Sequence, residues 1–228
     1  MKKILSKKIK SEYVQENFLG LAENFSLKIR RQMFHDLMEF AKPTAKTTVL
    51  DVGVTCDQRQ DSNFFEKLYP YSDKITAIGM EDCLFLEKDF PGLKYIQTDG
   101  ASLPFPDKSF DLALSFATIE HMGNRQRQKE FIGELSRVGR LCCITTPNRW
   151  FPLELHSITP FIHWLPSGVF RFILRCLCQS FYAKEENLNI LSQKDIMGML
   201  PPGKEVHIKH FRLFGFVSNL MFYIKDAP

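Results

Sequence analysis

Asp51 and Gly53 are the residues of this chain whose types and spacing most clearly indicate chemistry. They lie at the end of the β-branched and apolar run Thr47–Val52, which predicts a buried strand. Glycine permits a sharp turn or a close approach of the backbone after such a strand, and a carboxylate can hold ribose hydroxyls. The pair therefore predicts the opening of a nucleotide-binding loop.

The continuation of that loop is unusual. A glycine-rich loop would carry one or two more glycines, whereas this chain continues as Val54-Thr55-Cys56-Asp57. A β-branched Thr55 does not readily adopt positive φ, so we expect the loop to follow a different path. Two alternatives stay open. Either the Thr55 hydroxyl or the Asp57 carboxylate replaces the backbone contacts of the missing glycine, or nucleotide binding has been lost.

Polar residues also follow the later predicted strands. They are Asp82, Asp99, the segment Ser115 to His121, and the segment Thr145 to Asn148. Because ligands bind outside the carboxyl ends of the strands in open parallel sheets, we expect these groups to line one rim. Some could instead cap the following helices, which Asp, Ser and Thr favour for their own reasons. That alternative is strongest for Asp82.

Strands and helices alternate along most of the chain, which predicts parallel strand pairing through right-handed crossovers. The final two strands would form an antiparallel hairpin, so the prediction is an α/β fold with helices on both faces of a mostly parallel sheet. The predicted strands are 47–52, 75–79, 94–98, 110–116, 140–146, 204–209 and 216–225, and the predicted helices are 11–41, 64–68, 85–90, 125–137 and 169–182.

The length of 228 residues fits one sizeable domain, with no internal repeat or linker. We divide it into an N-terminal helical segment (1–46), a ligand-binding core (47–147), a lid insertion (148–203) and a C-terminal hairpin (204–225). The oligomeric state does not follow from the sequence.

Composition and charge exclude several classes. The net charge of +4 is too mild to indicate a nucleic-acid partner. No apolar run reaches the roughly 18–20 residues that span a bilayer, and none resembles a signal peptide, so we expect a cytoplasmic protein. The six cysteines lack a paired Cys-x-x-Cys spacing, so no metal site is predicted. Five lysines within residues 1–10 form either a solvated end or a weak contact with anionic lipid at the inner membrane face.

These motifs together resemble the class I S-adenosylmethionine-dependent methyltransferases, in the group often called type 11. The resemblance rests on Val49–Gly53, on Asp99–Asp111 and on Ile119-Glu120-His121; it covers residues 47–147 and, loosely, 204–225. It implies a Rossmann-like seven-stranded sheet and S-adenosylmethionine as the cofactor. A narrower resemblance, to bacterial members found with surface-polysaccharide genes, rests on Thr146-Pro147-Asn148-Arg149-Trp150-Phe151-Pro152 and His163-Trp164-Leu165-Pro166.

For the methionine and ribose parts of the cofactor, the resemblance implies one contact from each of the first two strand ends. The backbone around Gly53 would lie beside the methionine, and Asp51 would contact its amino group directly or through water. An acid just after the second strand would hold the ribose hydroxyls. Gly79 stands where that acid usually falls, which leaves Glu81 or Asp82 for the role.

For adenine and the methyl group, the resemblance implies contacts from the third and fourth strand ends. Asp99 would accept a hydrogen bond from the adenine amino group, and the amides of Gly100 and Ala101 would contact the ring. Ser115 and Phe116 would line the methyl-donor end.

Methyl transfer from a sulfonium is an in-line displacement, so much of the acceleration comes from alignment of the reactants. A general base helps when the acceptor is a hydroxyl. His121 is the first candidate because it follows the fourth strand, although it could instead be a structural histidine. His156 and His163 are alternatives from the lid, and Glu120 could orient the base or contact the cofactor.

The segment Thr159 to Tyr182 is very apolar and carries Arg171 and Arg175 on its helix. Packing against the sheet is one explanation, and a lipid-linked acceptor or a membrane-surface contact is the other. The predicted function is therefore O-methylation of a sugar, glycan or lipid-linked small acceptor.

The alternative is a methyltransferase-fold binding protein that has lost its cofactor. A nicotinamide oxidoreductase is disfavoured, because the Gly-x-Gly-x-x-Gly pattern is absent after the first strand.

Overall fold

The computed structural model describes residues 19–228. The predicted start of the first helix and the lysine-rich first ten residues lie outside this range. Within it, α1 (Leu19–Ala41) ends where the sequence predicts, just before Lys42-Pro43. Its buried face repeats at steps of four residues through Ile29, Met33 and Leu37, as an amphipathic helix requires.

The strands of the described residues are β1 (Val49–Val52), β2 (Ile75–Gly79), β3 (Lys94–Gln97), β4 (Phe110–Phe116), β5 (Gly139–Pro147), a separate pair β6 (Leu153–Glu154) and β7 (Thr159–Pro160), β8 (Lys204–Leu213) and β9 (Phe216–Asp226). Seven of them form one sheet in the order β3-β2-β1-β4-β5-β9-β8. Neighbours from β3 to β5 pair in parallel, while β9 pairs antiparallel with both β5 and β8. This confirms the predicted Rossmann-like fold with its antiparallel hairpin.

Helices cover both faces of the sheet, and each face has its own apolar core. Leu114 of β4 faces the core shared with α1, whereas its neighbour Ala113 faces the core shared with α4, as strand alternation dictates. The helices after α1 are α2 (Phe64–Leu68), α3 (Phe85–Asp89), α4 (Arg125–Val138), α5 (Ser167–Cys176) and α6 (Gln193–Met197).

The lid is where the predicted elements differ most from the structure. The helix expected over 169–182 ends at Cys176, and Cys178 adopts a left-handed φ of 59°. The chain then turns back so that Tyr182 and Leu188 pack against α5 in a third apolar cluster. The short helix α6 is not predicted, although a capping box between Ser192 and Asp195 signals its start.

The first, second, fourth and fifth strands all end at the same edge of the sheet, and the lid lies across that edge. Asn148 bridges to Leu191 just after β5, and the Asn189 amide donates to the Glu120 carbonyl oxygen (2.7 Å). The fold therefore brings the strand-end residues together beneath residues 148–191. Within the described range, no helix is long and apolar enough to cross a membrane.

Candidate active site

Two adjoining cavities open at this edge of the sheet. The first, of about 230 Å³, is lined by residues that follow β1 and β4 and by parts of α1, α2 and the lid. The second, of about 470 Å³, lies against Asp99 and the start of α4. Met80, His121 and Met122 line both cavities, so the two form neighbouring parts of one cleft. Small-molecule sites commonly have such volumes.

Gly53 occupies the sharp turn that the sequence predicts. Its φ of 111° is a conformation that residues with side chains rarely adopt, and an added Cβ would lie 2.0 Å from the Thr118 hydroxyl oxygen. The amides of Gly53 and Val54 both donate to the Ile78 carbonyl oxygen, at 2.8 and 3.0 Å. The loop is therefore folded down onto the end of β2 and packed beneath Thr118.

Gly79 explains the missing acid at the end of β2. A Cβ at Gly79 would lie 2.8 Å from the Val54 carbonyl oxygen, because the loop after Gly53 crosses over this position. Tyr95 donates its hydroxyl to the Gly79 carbonyl oxygen from the other side, at 3.1 Å. The backbone of the loop therefore occupies the space that an acidic side chain at position 79 would need.

Thr55 and Asp57 both line the first cavity, but they differ in the partners that their polar groups already have. Asn63 holds Thr55 from two sides, accepting from its amide (3.0 Å) and donating to its carbonyl (2.8 Å). The Asp57 carboxylate is paired with the Arg59 guanidinium at 2.6 Å and also accepts from the Arg59 amide. The Thr55 hydroxyl accepts from the Asp57 amide at 3.2 Å and can still donate its own proton, whereas the charge of Asp57 is already neutralised.

Asp51 and Glu66 form a buried pair of carboxyl groups at the bottom of the first cavity. Burial raises the pKa of Asp51 well above its ordinary value, and the neighbouring Glu66 raises it further. Burial also raises the pKa of Glu66, and the two side chains share a hydrogen bond. The Glu66 Oε1 atom is buried without a partner among the described residues. A cationic ligand group would satisfy it.

The Glu66 carboxyl should lower the stability of the folded protein at neutral pH. With its pKa raised on folding, the folded state keeps a proton that the unfolded chain loses above about pH 4. The free energy of unfolding therefore falls as pH rises from the ordinary towards the raised pKa. Glu66→Gln removes this loss. At pH 8 we therefore expect the free energy of unfolding to be about 1 kcal/mol higher than in the native chain, which raises Tm by about 2–4 °C.

Thermal unfolding of Glu66→Gln at pH 5 and pH 8 measures this effect, and the gain in Tm should be larger at pH 8. Glu39→Gln is the matched control, because Glu39 is exposed on α1. A gain that is equal at the two pH values, or equal in the control, would contradict the buried-pair explanation.

Arg30 brings a positive charge from α1 to the same cavity. Its guanidinium donates to the Ser26 hydroxyl (3.1 Å) and to the Asp61 carbonyl (2.5 Å), lies 3.7 Å from the Asp61 carboxylate, and stacks over the Phe64 ring at 5.4 Å. The cavity therefore presents an acid pair and a fixed guanidinium, which suits a ligand that carries an ammonium and a carboxylate.

The structure separates the two acids proposed for the second strand end. Glu81 lines the first cavity, and its Oε2 accepts from the Cys56 amide at 3.4 Å. Asp82 lies outside the lining of both cavities; it is exposed, and its carboxylate accepts from the Leu84 amide (3.3 Å) at the start of α3. Of the two acids, Glu81 therefore faces the cleft, whereas Asp82 makes a local turn contact.

Asp99 lines the second cavity as predicted, half-exposed and 3.6 Å from the Arg127 guanidinium. Its carboxylate also accepts from the Ala101 amide at 3.0 Å, so this amide is already bonded within the loop. Gly100 has a left-handed φ of 69° and is buried against Val52. Gly100 and Ala101 shape the loop that presents Asp99, and neither lines a cavity.

Ser115 is the other predicted contact that the structure places elsewhere. It is fully buried within β4, and its hydroxyl lies outside the lining of both cavities. Strand alternation turns Ser115 towards the α4 face, so that its neighbour Phe116 lines the first cavity instead.

Three candidate bases occupy two different environments. His121 and His156 line the first cavity, with ring centroids 4.9 Å apart. His163 is buried and donates its Nε2 proton to the Phe151 carbonyl oxygen (2.8 Å), outside both cavities. The structure therefore groups His121 with His156 and leaves His163 in a packing role.

The two cavity histidines have pKa values shifted in opposite directions. Burial, together with the nearby His156, lowers the pKa of His121 to about 3. Burial also acts to lower the pKa of His156, but Glu154 and Glu120 outweigh it and raise that pKa. Despite its own burial, Glu154 has a pKa of about 2, because His156 lies against it. His121 is therefore neutral at physiological pH, whereas His156 is the more basic ring.

The comparisons with known proteins bear on the fold and on part of the sequence. The family described as "Methyltransferase domain" matches residues 77–141. A solved methyltransferase from Archaeoglobus fulgidus superposes with a TM-score of 0.55 at 16% identity, over 91% of this chain and 100% of that one. The fold is that of the class I methyltransferases. The family match supports the predicted enzyme class, an S-adenosylmethionine-dependent methyltransferase, and its cofactor.

Two curated relatives match parts of the chain. A Schizosaccharomyces pombe protein named "tRNA (carboxymethyluridine(34)-5-O)-methyltransferase" is 29% identical over 56% of this chain and 52% of its own length. A Mycobacterium tuberculosis protein named "Probable S-adenosylmethionine-dependent methyltransferase" is 38% identical over 26% of this chain and 22% of its own. The chain thus spans about half or less of the length of these curated relatives.

Sequence reasoning missed Glu66, Arg30 and Met80 as cavity-lining residues. Glu66 and Arg30 lie on helices, where polar residues are read as solvent-facing by default. Met80 comes directly after β2 and is 64% exposed, but a single exposed apolar side chain is common on protein surfaces and gave no signal of a site.

Proposed function

We propose that this chain binds S-adenosylmethionine in the cleft and methylates a hydroxyl oxygen of a sugar, glycan or lipid-linked small acceptor. The observation that carries the proposal is the buried pair Asp51–Glu66 facing a cavity that also contains Arg30. The amino-acid part of the cofactor has an ammonium and a carboxylate. Asp51 and Glu66 would hold the ammonium, and Arg30 would face the carboxylate.

The remainder of the cleft offers partners for the nucleoside. Glu81 would accept hydrogen bonds from ribose hydroxyls, in place of the acid that Gly79 excludes. Met80 lies between the two cavities, where its thioether can pack against the adenine ring. Asp99 would accept from the adenine amino group in the second cavity. Each contact uses a residue that already lines the cleft.

The cofactor supplies an activated methyl group on a sulfonium, so the protein mainly aligns the two reactants. We assign the acceptor to the end of the first cavity formed by Phe116, Thr118 and the two histidines. The Nδ1 proton of His156 is donated to Glu154 (2.7 Å), which directs the basic Nε2 atom away from Glu154. His156 would take the hydroxyl proton there, since the low pKa of His121 makes it a weak base.

The exposed apolar face of the lid supports a lipid-linked acceptor. Phe170 and Leu174 of α5 are buried, but Val169 and Phe172 of the same helix are exposed, and Phe161 adds to the exposed surface. Such a surface on the lid suits a weak contact with a membrane surface or with a lipid chain.

Calorimetry with S-adenosylmethionine tests the cofactor, and mass spectrometry of products heavier by one methyl group tests the acceptor. The acceptors tested should include a free sugar, a lipid-linked glycan and tRNA. The tRNA is included because of the name of the Schizosaccharomyces pombe relative. Absence of heat at millimolar cofactor with folded protein would favour the alternative of a non-catalytic binding protein. Methylation of tRNA alone would overturn the proposed acceptor class.

Asp99→Ala should weaken cofactor binding about tenfold, which is the effect of losing one hydrogen bond at a half-exposed site. Titration calorimetry measures the change in Kd, with Asp89→Ala, an exposed residue at the end of α3, as the control. Arg127→Ala offers the opposite test: it frees Asp99 from its ion pair, so affinity should stay the same or rise. Unchanged affinity in Asp99→Ala would remove the adenine assignment.

A further inference from the structure

Three ligand-type side chains converge beside the first cavity, and the chemistry assigned so far does not use all of them. They are Glu120, His121 and His156, and one donor atom of each lies within 4.8 Å of those of the other two. They come from distant parts of the chain: Glu120 and His121 follow β4, whereas His156 belongs to the lid between β6 and β7. The convergence is therefore a product of the fold.

Each histidine is oriented by a hydrogen bond to one ring nitrogen. The Nδ1–H of His121 donates to the Asn187 carbonyl oxygen at 2.7 Å, and the Nδ1–H of His156 donates to Glu154 Oε1 at 2.7 Å. In each ring the lone pair is then on Nε2. Metal-binding histidines almost always have this arrangement, with a carbonyl or carboxylate behind the ring to fix its tautomer and increase its basicity.

Glu120 completes the set and has the clearest unmet requirement. Its side chain is almost fully buried, and Oε2 accepts from the Thr146 hydroxyl at 3.0 Å. The other oxygen, Oε1, is buried without a hydrogen-bond partner among the described residues. Leaving a buried carboxylate oxygen unsatisfied is costly, so this atom indicates a positively charged or hydrogen-bonding partner.

We propose that Glu120, His121 and His156 bind a divalent metal ion of the zinc class. Two imidazoles and one carboxylate are a donor set that suits zinc and its neighbours, whereas magnesium and calcium require mainly oxygen ligands. Bonds of about 2.1 Å place tetrahedral ligands about 3.4 Å apart, so side-chain shifts of about 1 Å close the site around the ion. The fourth position faces the cavity, because His121 and His156 line it.

The role of the ion rests on the proposed function. At the acceptor end of the cleft it would bind the acceptor hydroxyl and lower its pKa, as metal ions do for bound water. The hydroxyl proton leaves to solvent, the oxygen forms a bond to the methyl carbon, and the carbon–sulfur bond breaks as the sulfonium becomes a thioether. His156 is then a metal ligand, and the ion replaces it in activating the hydroxyl.

Metal binding can be measured without cofactor or acceptor. The full chain, stripped with EDTA, is titrated with Zn²⁺ in a Cys176→Ser/Cys178→Ser background, which removes the two exposed thiols. We expect one ion per chain with a Kd of micromolar or tighter. Glu120→Gln and His156→Gln should each weaken binding at least tenfold, and Glu154→Gln about 10- to 100-fold through the orientation of His156.

The control is His210→Gln, whose exposed imidazole bonds to Gln193 far from the cleft and should leave the Zn²⁺ affinity unchanged. If the site variants fail to fold, the absorption spectrum of the Co²⁺ form of the parent protein tests the proposal instead. Nitrogen and oxygen ligands give a visible band without thiolate charge transfer. The proposal would be overturned if the protein bound no Zn²⁺ or if the Co²⁺ form showed thiolate charge transfer. It would also be overturned if Glu120→Gln and His156→Gln both bound Zn²⁺ as tightly as the parent protein. Cofactor calorimetry on the stripped protein tests the proposed function separately.

Discussion

Replacing Asp51 by asparagine is expected to weaken S-adenosylmethionine binding at least about 30-fold. Truncating one partner of a buried charge pair costs about 2–5 kcal/mol, and 2 kcal/mol corresponds to a factor of about 30. Asparagine keeps the volume of the side chain and can still bond to Glu66, so the loss would come from charge. Thermal unfolding should show a folded protein that is as stable as the native chain or more stable at neutral pH.

The same substitution should also reduce the number of protons that are released when the cofactor binds. In the ligand-free protein, burial raises the pKa values of both Asp51 and Glu66, and the neighbouring Glu66 raises that of Asp51 further, so the pair retains a proton above the ordinary carboxyl range. A bound ammonium favours the fully ionised pair, and binding therefore releases that proton. Affinity should rise with pH until the pair is ionised, because the free protein then holds no proton to release.

Calorimetry in buffers with different heats of ionisation measures the proton release directly. Native protein should release a fraction of a proton when it binds the cofactor, and Asp51→Asn and Glu66→Gln should release less. The matched control is Asp82→Asn, because Asp82 is an acid at the same edge of the sheet that lies outside both cavities. An equal loss of affinity in Asp82→Asn would contradict the assignment of Asp51 as the ammonium partner.

The fold was predictable because its signals are local and repetitive. The strands β2 and β4 and the helix α2 have the predicted bounds, since each is a short apolar run that ends in turn-forming or polar residues. The lid was less predictable. Its long apolar helix is cut at Cys176 because Tyr182 and Leu188 return to pack on α5, a contact between residues that no local pattern links.

The candidate site was predictable to the level of strand ends but not of side-chain partners. Asp51 and Asp99 line the cleft, as their positions after parallel strands indicate. Asp57 is paired with Arg59 and Asp82 bonds to a turn amide, and these local pairings depend on loop geometry. Glu66 is recognised as a site residue only when α2 is seen packed over Asp51.

The loop after β1 shows why a departure from a family pattern need not mean a lost site. The sequence shows a missing glycine after Gly53 and a missing acid at Gly79 as two separate defects. In the structure, the loop backbone at Val54 crosses over Gly79, so a residue without a side chain at the end of β2 is what this loop path requires. The acidic role can then pass to Glu81, which the loop leaves facing the cavity.

Gly53→Ala should have the other large effect, abolishing measurable cofactor binding and lowering the free energy of unfolding by about 2–4 kcal/mol. The new Cβ would lie 2.0 Å from the Thr118 hydroxyl oxygen, and the φ of 111° is itself unfavourable for alanine. Relief requires the loop to move away from Ile78, which displaces the wall of the first cavity. Calorimetry and thermal unfolding measure the two losses.

A double-mutant cycle separates steric overlap from backbone strain in Gly53→Ala. Thr118→Ala removes the hydroxyl oxygen and the methyl carbon that the new Cβ would meet at 2.0 and 2.6 Å and leaves only the Thr118 Cβ at 2.8 Å, so Gly53→Ala should cost less stability in that background than in the native chain. Gly215→Ala is the control for strain alone, because its φ is 85° and an added Cβ there meets nothing within 4 Å. Binding should remain weak in the double variant, since the backbone strain persists. Native affinity in Gly53→Ala, with the protein folded, would show that this loop does not form the cofactor wall.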